Sequence, residues 1–410
     1  MTRGGLNVPM LALFLVLFVV SVGFGLVIPL LPLIAREYEA SAFMIGTMTA
    51  GYSIVQFIFS PIWGQISDRV GRKPVLMVGI AGLSLSFLVM GFADSFWGLF
   101  TGRVLGGFLG SATLPAAQAM AAELSSAKSR AGAMGLMGAA FGTGFIVGPL
   151  FGGVLAPYGF SVPFFASAGL GFATVALAFA VLREVDASKL AIARANSARR
   201  SVFSGMAAAL SGPAAPFYLL PFAIMMAQSS LMTALALFLT DRFHVDASLV
   251  GLVFAFNGAC GAFIQGIAIG PITRRFGEYK AIFAGLTVGI AGFLLLISVP
   301  TFALVVPSVA LTAVSMSLTR PSSSSLLSQL TTLPQGITMG LQSSFDALGR
   351  VVGPLWAGFA YDHMGTLPFL SAAAVYVAFI LYLSRHLRAG KSAGRHALGQ
   401  PEAVPAQENR

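Results

Sequence analysis

Gly64-Gln-Ile-Ser-Asp68-Arg69-Val-Gly71-Arg72-Lys73-Pro74-Val-Leu76 places four charged residues, three basic and one acidic, between two long apolar runs. Only 9% of the chain is charged, so this density marks a tight connection between two helices. Gly64 and Gly71 permit close backbone approach or a positive φ. Pro74 suits the first turn of the following helix. Asp68 falls near the helix ends, where a carboxylate accepts backbone N–H groups. Taken alone, the stretch is a basic loop of the kind that any protein of several membrane spans carries.

Composition extends the same reading to the whole chain. The 410 residues are 57% hydrophobic, include 35 Phe, and have a mean hydropathy of +0.86. Soluble domains carry about 25% charged residues, far above this chain. Apolar runs of about 20 residues recur, each long enough to cross a bilayer as a helix. Backbone polar groups in lipid must be satisfied within the segment, which makes the runs helices. The lone cysteine, Cys260, has no intrachain disulfide partner and reads as a packing residue. The first run is too long for a cleavable signal and no small-residue cleavage site follows it.

Twelve runs are expected. Those of the first half cover about 8–31, 43–63, 75–92, 97–122, 131–156 and 162–182. Those of the second cover about 214–240, 248–269, 281–299, 302–330, 336–361 and 367–384. The expected fold is an all-α membrane protein of twelve transmembrane helices in two pseudo-symmetric six-helix bundles, residues 1–182 and 214–390. A polar connection, 183–213, joins them, part of it suited to an amphipathic surface helix. A tail, 391–410, is expected to be disordered.

Basic residues fix the orientation. Arg3, the Arg69–Lys73 cluster, Lys128, Arg130, Arg274, Arg275, Lys280 and the bases of the connection and tail fall on one side. Loops on the other side hold Arg36 and Arg242, with the acids Glu37, Glu39, Asp94, Asp241, Asp246 and Asp362. The bias puts both termini in the cytoplasm. It also explains the formal charge of +10 without nucleic acid, since the bases sit at helix ends.

The halves repeat each other. Gly64-x-x-x-Asp68-Arg-Val-Gly71-Arg returns, degraded, as Gly270-x-x-x-Arg274-Arg-Phe-Gly277-Glu. Gly135-x8-Gly144-x3-Gly148-Pro149 in the fifth run returns as Gly340-x8-Gly349-x3-Gly353-Pro354 in the eleventh. Duplicated six-helix halves are the organisation of transporters that rock about a site near the midplane. Channels are built from repeats too, so a passive pore stays open on this ground.

The opening stretch resembles the loop signature Gly-x-x-x-Asp-Arg-x-Gly-Arg-Lys of the major facilitator superfamily, found there between the second and third helices. The fifth run, extended through Gly152 and Gly153, resembles the antiporter signature of that superfamily's drug/proton exporters, tetracycline/proton antiporters included. Physically its glycines make a face without side chains, against which another helix packs closely, and Pro149 permits a kink. Packing alone is the simpler reading of these residues; the resemblance implies export against proton entry. Arg103, in Leu99-x-x-x-Arg103-x-x-Gly106-Gly107, resembles the fourth-helix signature of the same exporters, which often has Gln where Gly106 stands. The resemblance implies help in proton transfer, while an anchor to backbone carbonyls is the structural alternative.

Asp346 is the one acid placed well inside a run. Proton carrier and conformational latch both stay open for it, with Arg350 one turn on or the loop Arg72 as its partner. Many related antiporters carry an acid in the first helix; here Ser21-Val-Gly-Phe-Gly-Leu holds none. By resemblance, Asp68, Arg72 and Glu123, with Gly64 and Gly71, form a cytoplasmic gate, made when the inside is shut and broken as the halves rock. A solvated helix end is the simpler reading of Glu123. Runs one, four, seven and ten are expected to line the cavity. Its candidate contacts are Met225, Met226, Gln228, Met232 and Arg320, with Arg350 as a further cation, the methionines suiting adaptable binding of apolar compounds.

The function expected is secondary export of small hydrophobic or amphipathic, drug-like compounds in exchange for protons by alternating access, in a bacterial-type inner membrane. The alternatives are a dedicated exporter of one anionic metabolite or lipid-like molecule, and a passive facilitator. The partners expected are substrate, protons and the bilayer, with the protein monomeric and no nucleic acid, cofactor, metal or catalytic residue involved.

Overall fold

Proline, glycine and polar residues divide the apolar runs into helices. The computed structural model describes residues 8–125, 129–182, 215–331 and 335–398, with no strand among them. The central connection expected at 183–213 lies outside the described residues, as do 399–410. The first half comprises α1 (Val8–Val27), α2 (Leu31–Glu37), α3 (Ala42–Val70), α4 (Arg72–Gly91), α5 (Phe96–Gly110), α6 (Thr113–Leu124), α7 (Arg130–Leu155) and α8 (Ser161–Val181). The second comprises α9 (Ala215–Phe243), α10 (Ala247–Phe263), α11 (Ile269–Phe276), α12 (Glu278–Ser298), α13 (Val305–Leu330), α14 (Gln335–His363) and α15 (Leu367–Leu398).

Pairs of these make single spans. α1 and α2 flank the break at Pro29, α5 and α6 meet at Ser111, and α10 runs into α11 through a π turn at Ile264–Ala268. Ten helical stretches among the described residues are long and apolar enough to cross a membrane. The fourth and eleventh expected spans complete the twelve. The fourth is interrupted because Pro115 has no N–H for the Ser111 carbonyl and its ring crowds that oxygen. The eleventh, α14, is less apolar, carrying Gln342, Asp346, Arg350 and Asp362.

Two boundaries differ from expectation. α3 continues to Val70, well past Trp63, so Ser67 and Asp68 belong to its last turn. The connection to α4 is then Gly71 alone, at φ 119, which ends one helix and begins the next. Gly277, at φ 80, makes the same joint between α11 and α12. Only a residue without Cβ takes such angles freely, which is why this part of the repeat survives. α15 is helical to Leu398, beyond Lys391, where a disordered tail is expected.

Glycines decide which helices touch. α7 lies on α1: a Cβ at Gly148 would stand 2.5 Å from Gly25 Cα, and those at Gly144 and Gly152 would overlap Ser21 and Leu26. α14 lies on α9 in the same way, with Gly349 and Gly353 against the backbone at Phe222 and Met226. In lipid, where apolar burial between helices gives little, such close packing and its van der Waals contacts hold a bundle together.

The halves meet at one end. Gly46 of α3 faces the backbone of Pro354 and Gly358, and Gly251 of α10 faces Pro149 and Gly153. At the other end, which carries the Asp68–Arg72 stretch, the same helices part. A Cβ at Gly135, Gly138 or Gly142 of α7, or at Gly340 of α14, would have no described atom within 4 Å.

Candidate functional site

Where the halves converge they enclose a cavity of about 190 Å³. α3 contributes Tyr52 and Gln56, α5 contributes Arg103, α9 contributes Met225, Gln228 and Met232, and α14 contributes Arg350. Five of the residues expected at a cavity or in coupling thus come together. Met226 does not line it: its backbone N and O lie against Gly349 and Gly353, so its helix face is used for packing.

Arg103 is placed by small neighbours. Gly107 lets α5 settle on α3, since a Cβ there would come within 2.7 Å of the Tyr52 carbonyl oxygen. Gly106 is shut against Ser86, so the glutamine of the family pattern has no room here. Arg103 is buried, its guanidinium carbon 4.2 Å from the centre of the Tyr52 ring, and its Nε has no partner among the described residues. It is therefore not bound to backbone carbonyls through Nε as a structural anchor would be. Tyr52 is a residue that sequence reasoning undervalued; its position opposite an intramembrane arginine appears only once α3 and α5 are packed. Its hydroxyl also accepts from Gln56 Nε2 at 3.3 Å.

Asp346 is buried and its Oδ2 accepts from Arg320 Nη2 at 3.0 Å. Arg350, one turn along, is not its hydrogen-bond partner, and Arg72 lies on the other half. Asp346 and Arg350 share a face of α14; Asp346 lies within reach of Arg320 on α13, and Arg350, one turn further on, lines the cavity. Arg320 is half-exposed and Asp346 Oδ1 is without a partner among the described residues. The pair borders an opening of about 370 Å³ with Gln265 and Gln342. It lies outside the central cavity, so Arg320 is not among the residues that line that cavity.

The charged residues of the expected gate come together within the first half. Arg72 is buried, donating through Nε and Nη2 to Glu123 Oε1 at 3.0 and 2.8 Å and through Nη1 to Asp68. Gly64 lies in α3 beside Pro115 of α6. Residues 68, 72 and 123 all belong to the first half, and their network is intact although the halves are apart at this end. It ties α3, α4 and α6 together at this corner. Arg72→Ala removes the cation that Asp68 and Glu123 share, a loss of up to about 3–5 kcal/mol for a broken buried pair. We expect a lower thermal midpoint of the purified protein, and an unchanged midpoint would contradict the bracing role.

The contacts that cross between halves are at the opposite end. Arg36 donates to both oxygens of Asp241 at 2.8 and 3.0 Å, and Asp241 is held within its own half by Tyr361 Oη, which donates to Oδ2 at 2.8 Å. Asp362 accepts from the backbone N–H groups of Ala42 and Phe43, both at 2.9 Å, holding the α3 N-terminus. Ser248 Oγ donates to the Gly153 carbonyl at 2.9 Å. Sequence reasoning treated these as loop charges. One signal was present: Arg36 and Asp241 are 205 apart, the spacing of the glycine repeat, so pseudo-equivalent positions pair across the axis.

Two six-helix halves closing on a largely apolar, arginine-bearing cavity define a multi-pass membrane transporter. The family model of the Major Facilitator Superfamily matches residues 13–225 and 217–407. Multidrug resistance protein 1 of Bacillus subtilis (strain 168) is 31% identical over 370 residues, 89% of this chain and 93% of its own. Tetracycline resistance protein, class E, of Escherichia coli is 31% identical over 362 residues, 87% and 89% of the two chains. The crystal structure of the nucleoside transporter NupG superposes with a TM-score of 0.74 at 14% identity, over 93% of this chain and 99% of that one. The chain belongs to the Major Facilitator Superfamily.

Proposed function

We propose that the protein is a secondary exporter of small hydrophobic or amphipathic, drug-like compounds, which it exchanges for protons by alternating access. The observation that carries this reading is the central cavity between the halves, bridged at the Arg36–Asp241 end while the helices part at the other. The likeness to multidrug and tetracycline resistance proteins supports the drug-like cargo. The basic bias of the Arg69–Lys73 end supports its assignment to the cytoplasm, with both termini on that side, in a bacterial-type inner membrane. The state described here is then the one that loads from the cytoplasm, and the protein acts as a monomer.

Each residue set has a role in this cycle. The Gly144, Gly148 and Gly152 face keeps α7 rigid on α1, while Gly153 and Pro149 let α7 pivot on α10. Gly135 stays clear of neighbours until that end closes. Asp346 carries the exchanged proton: a buried carboxylate with one free oxygen, bordering the open side, takes and releases a proton as its access changes. Arg320 is its ion-pair partner. Arg103 and Arg350 face the cargo.

The test is flux in proteoliposomes under an imposed pH difference, with neutral, cationic and anionic amphipathic dyes. The expected result is uphill movement of at least one dye that stops when a protonophore collapses the gradient. Movement that is only downhill and indifferent to the gradient would make the protein a passive facilitator.

A further inference from the structure

The central cavity holds a charge imbalance that a hydrophobic cargo leaves unanswered. Arg103 and Arg350 both line it, and no Asp or Glu does. The nearby acid, Asp346, accepts its hydrogen bond from Arg320. Neither cavity arginine makes a hydrogen bond or ion pair to any described residue, and Arg103 is buried with its Nε unpartnered. The contact of Arg103 with the Tyr52 ring offsets part of its desolvation and satisfies none of its N–H groups. Two cations without a directly bonded anion inside a membrane protein are costly, and such residues mark ligand or ion sites.

The remaining walls say what kind of anion fits. Ile28, Leu31, Ile45, Met225 and Met232 make an apolar side, while Gln56 and Gln228 offer amides. A guanidinium pairs best with a planar oxyanion through parallel N–H bonds. We propose that this cavity takes an amphipathic organic anion, its carboxylate held by Arg103 and Arg350 and its apolar part seated among the methionines. This rests on the export reading for its direction, but binding itself needs no gradient.

The experiment therefore measures binding to the purified full-length protein in nanodiscs at one pH, by calorimetry. The probes are 4-phenylbutyrate, its methyl ester, 4-phenylbutylamine and acetate. The carboxylate is expected to bind at least tenfold more tightly than the ester, the amine or acetate. Arg350→Gln is expected to lower its affinity about tenfold, and Arg350→Lys to recover part of the loss. Arg103→Gln is expected to act likewise; should it fail to fold, the Arg350 variants decide. Binding of the ester or amine as tight as that of the acid, insensitivity to Arg350→Gln, or no carboxylate binding at millimolar concentration would overturn the proposal. Acetate binding as well as 4-phenylbutyrate would overturn the amphipathic part and leave a site for small anions. Anion binding without uphill flux would sink the export reading alone, whereas uphill flux restricted to cationic dyes would sink this inference alone.

Discussion

Alanine in place of Gly46 is expected to drive the protein out of the state described here. A Cβ at this position would overlap the Pro354 carbonyl oxygen and stand 3.0 Å from its carbon, with Gly358 Cα at 3.4 Å. All three are backbone atoms of α14, so no side chain is free to swing aside. The clash falls on one state only, because α3 and α14 belong to different halves and separate at this end when the cavity opens there. Overpacking of this kind costs about 1–3 kcal/mol, which is about a fivefold to hundredfold shift in the ratio of two states. With Cys260→Ser as background, a cysteine at Thr49, which lines the cavity, reports the shift. An impermeant maleimide added at the Arg36–Asp241 end should label it faster in Gly46→Ala than in the parent by that factor. Gly251→Ala, which meets the Pro149 carbonyl across the pseudo-equivalent contact, should act in the same direction. Equal labelling rates would mean that the halves do not part along α3 and α14.

Asp346→Asn is expected to abolish uphill transport while leaving exchange of cargo across the membrane intact. Asparagine keeps the shape of the side chain and its contact with α13, but it neither takes nor releases a proton in the accessible pH range. Arg320 loses its ionic partner, yet it is half-exposed beside an opening, so water replaces much of what is lost and the fold survives. The measurement pairs a pH-driven accumulation assay with counterflow of labelled cargo at equal pH. Loss of the first with retention of the second assigns the proton to Asp346. Unchanged accumulation would reject that role. Arg320→Gln separates the two functions of the pair: it removes the counter-charge and leaves the carboxyl group, so accumulation should persist.

Much of the architecture was legible because membrane spans are written in composition. A run of apolar residues long enough to cross lipid has one stable backbone solution, and the basic residues around Gly71 declare which loops face one side. The glycine repeat was legible for a related reason. Gly148 and Gly353 sit where backbone meets backbone, and no other residue fits. Of the site, Arg103, Gln228, Met225, Met232 and Arg350 were found because polar or adaptable side chains in an apolar run stand out. Tyr52 and the charges of the Arg36–Asp241 end were passed over, since an aromatic in a membrane helix and a charge in a loop are both ordinary.

The sequence by itself determined that the chain is a duplicated bundle of membrane helices, which residues in it are too polar or too small to be filler, and where the sharp joints at Gly71 and Gly277 fall. The tertiary structure alone decided who partners whom. Asp346 goes to Arg320 on α13, Arg72 braces its own half, and Arg36 crosses to Asp241. Periodicity along one helix fixes the face a side chain takes. Which face of which neighbour it meets depends on the close packing of distant segments, and a one-dimensional pattern does not carry that.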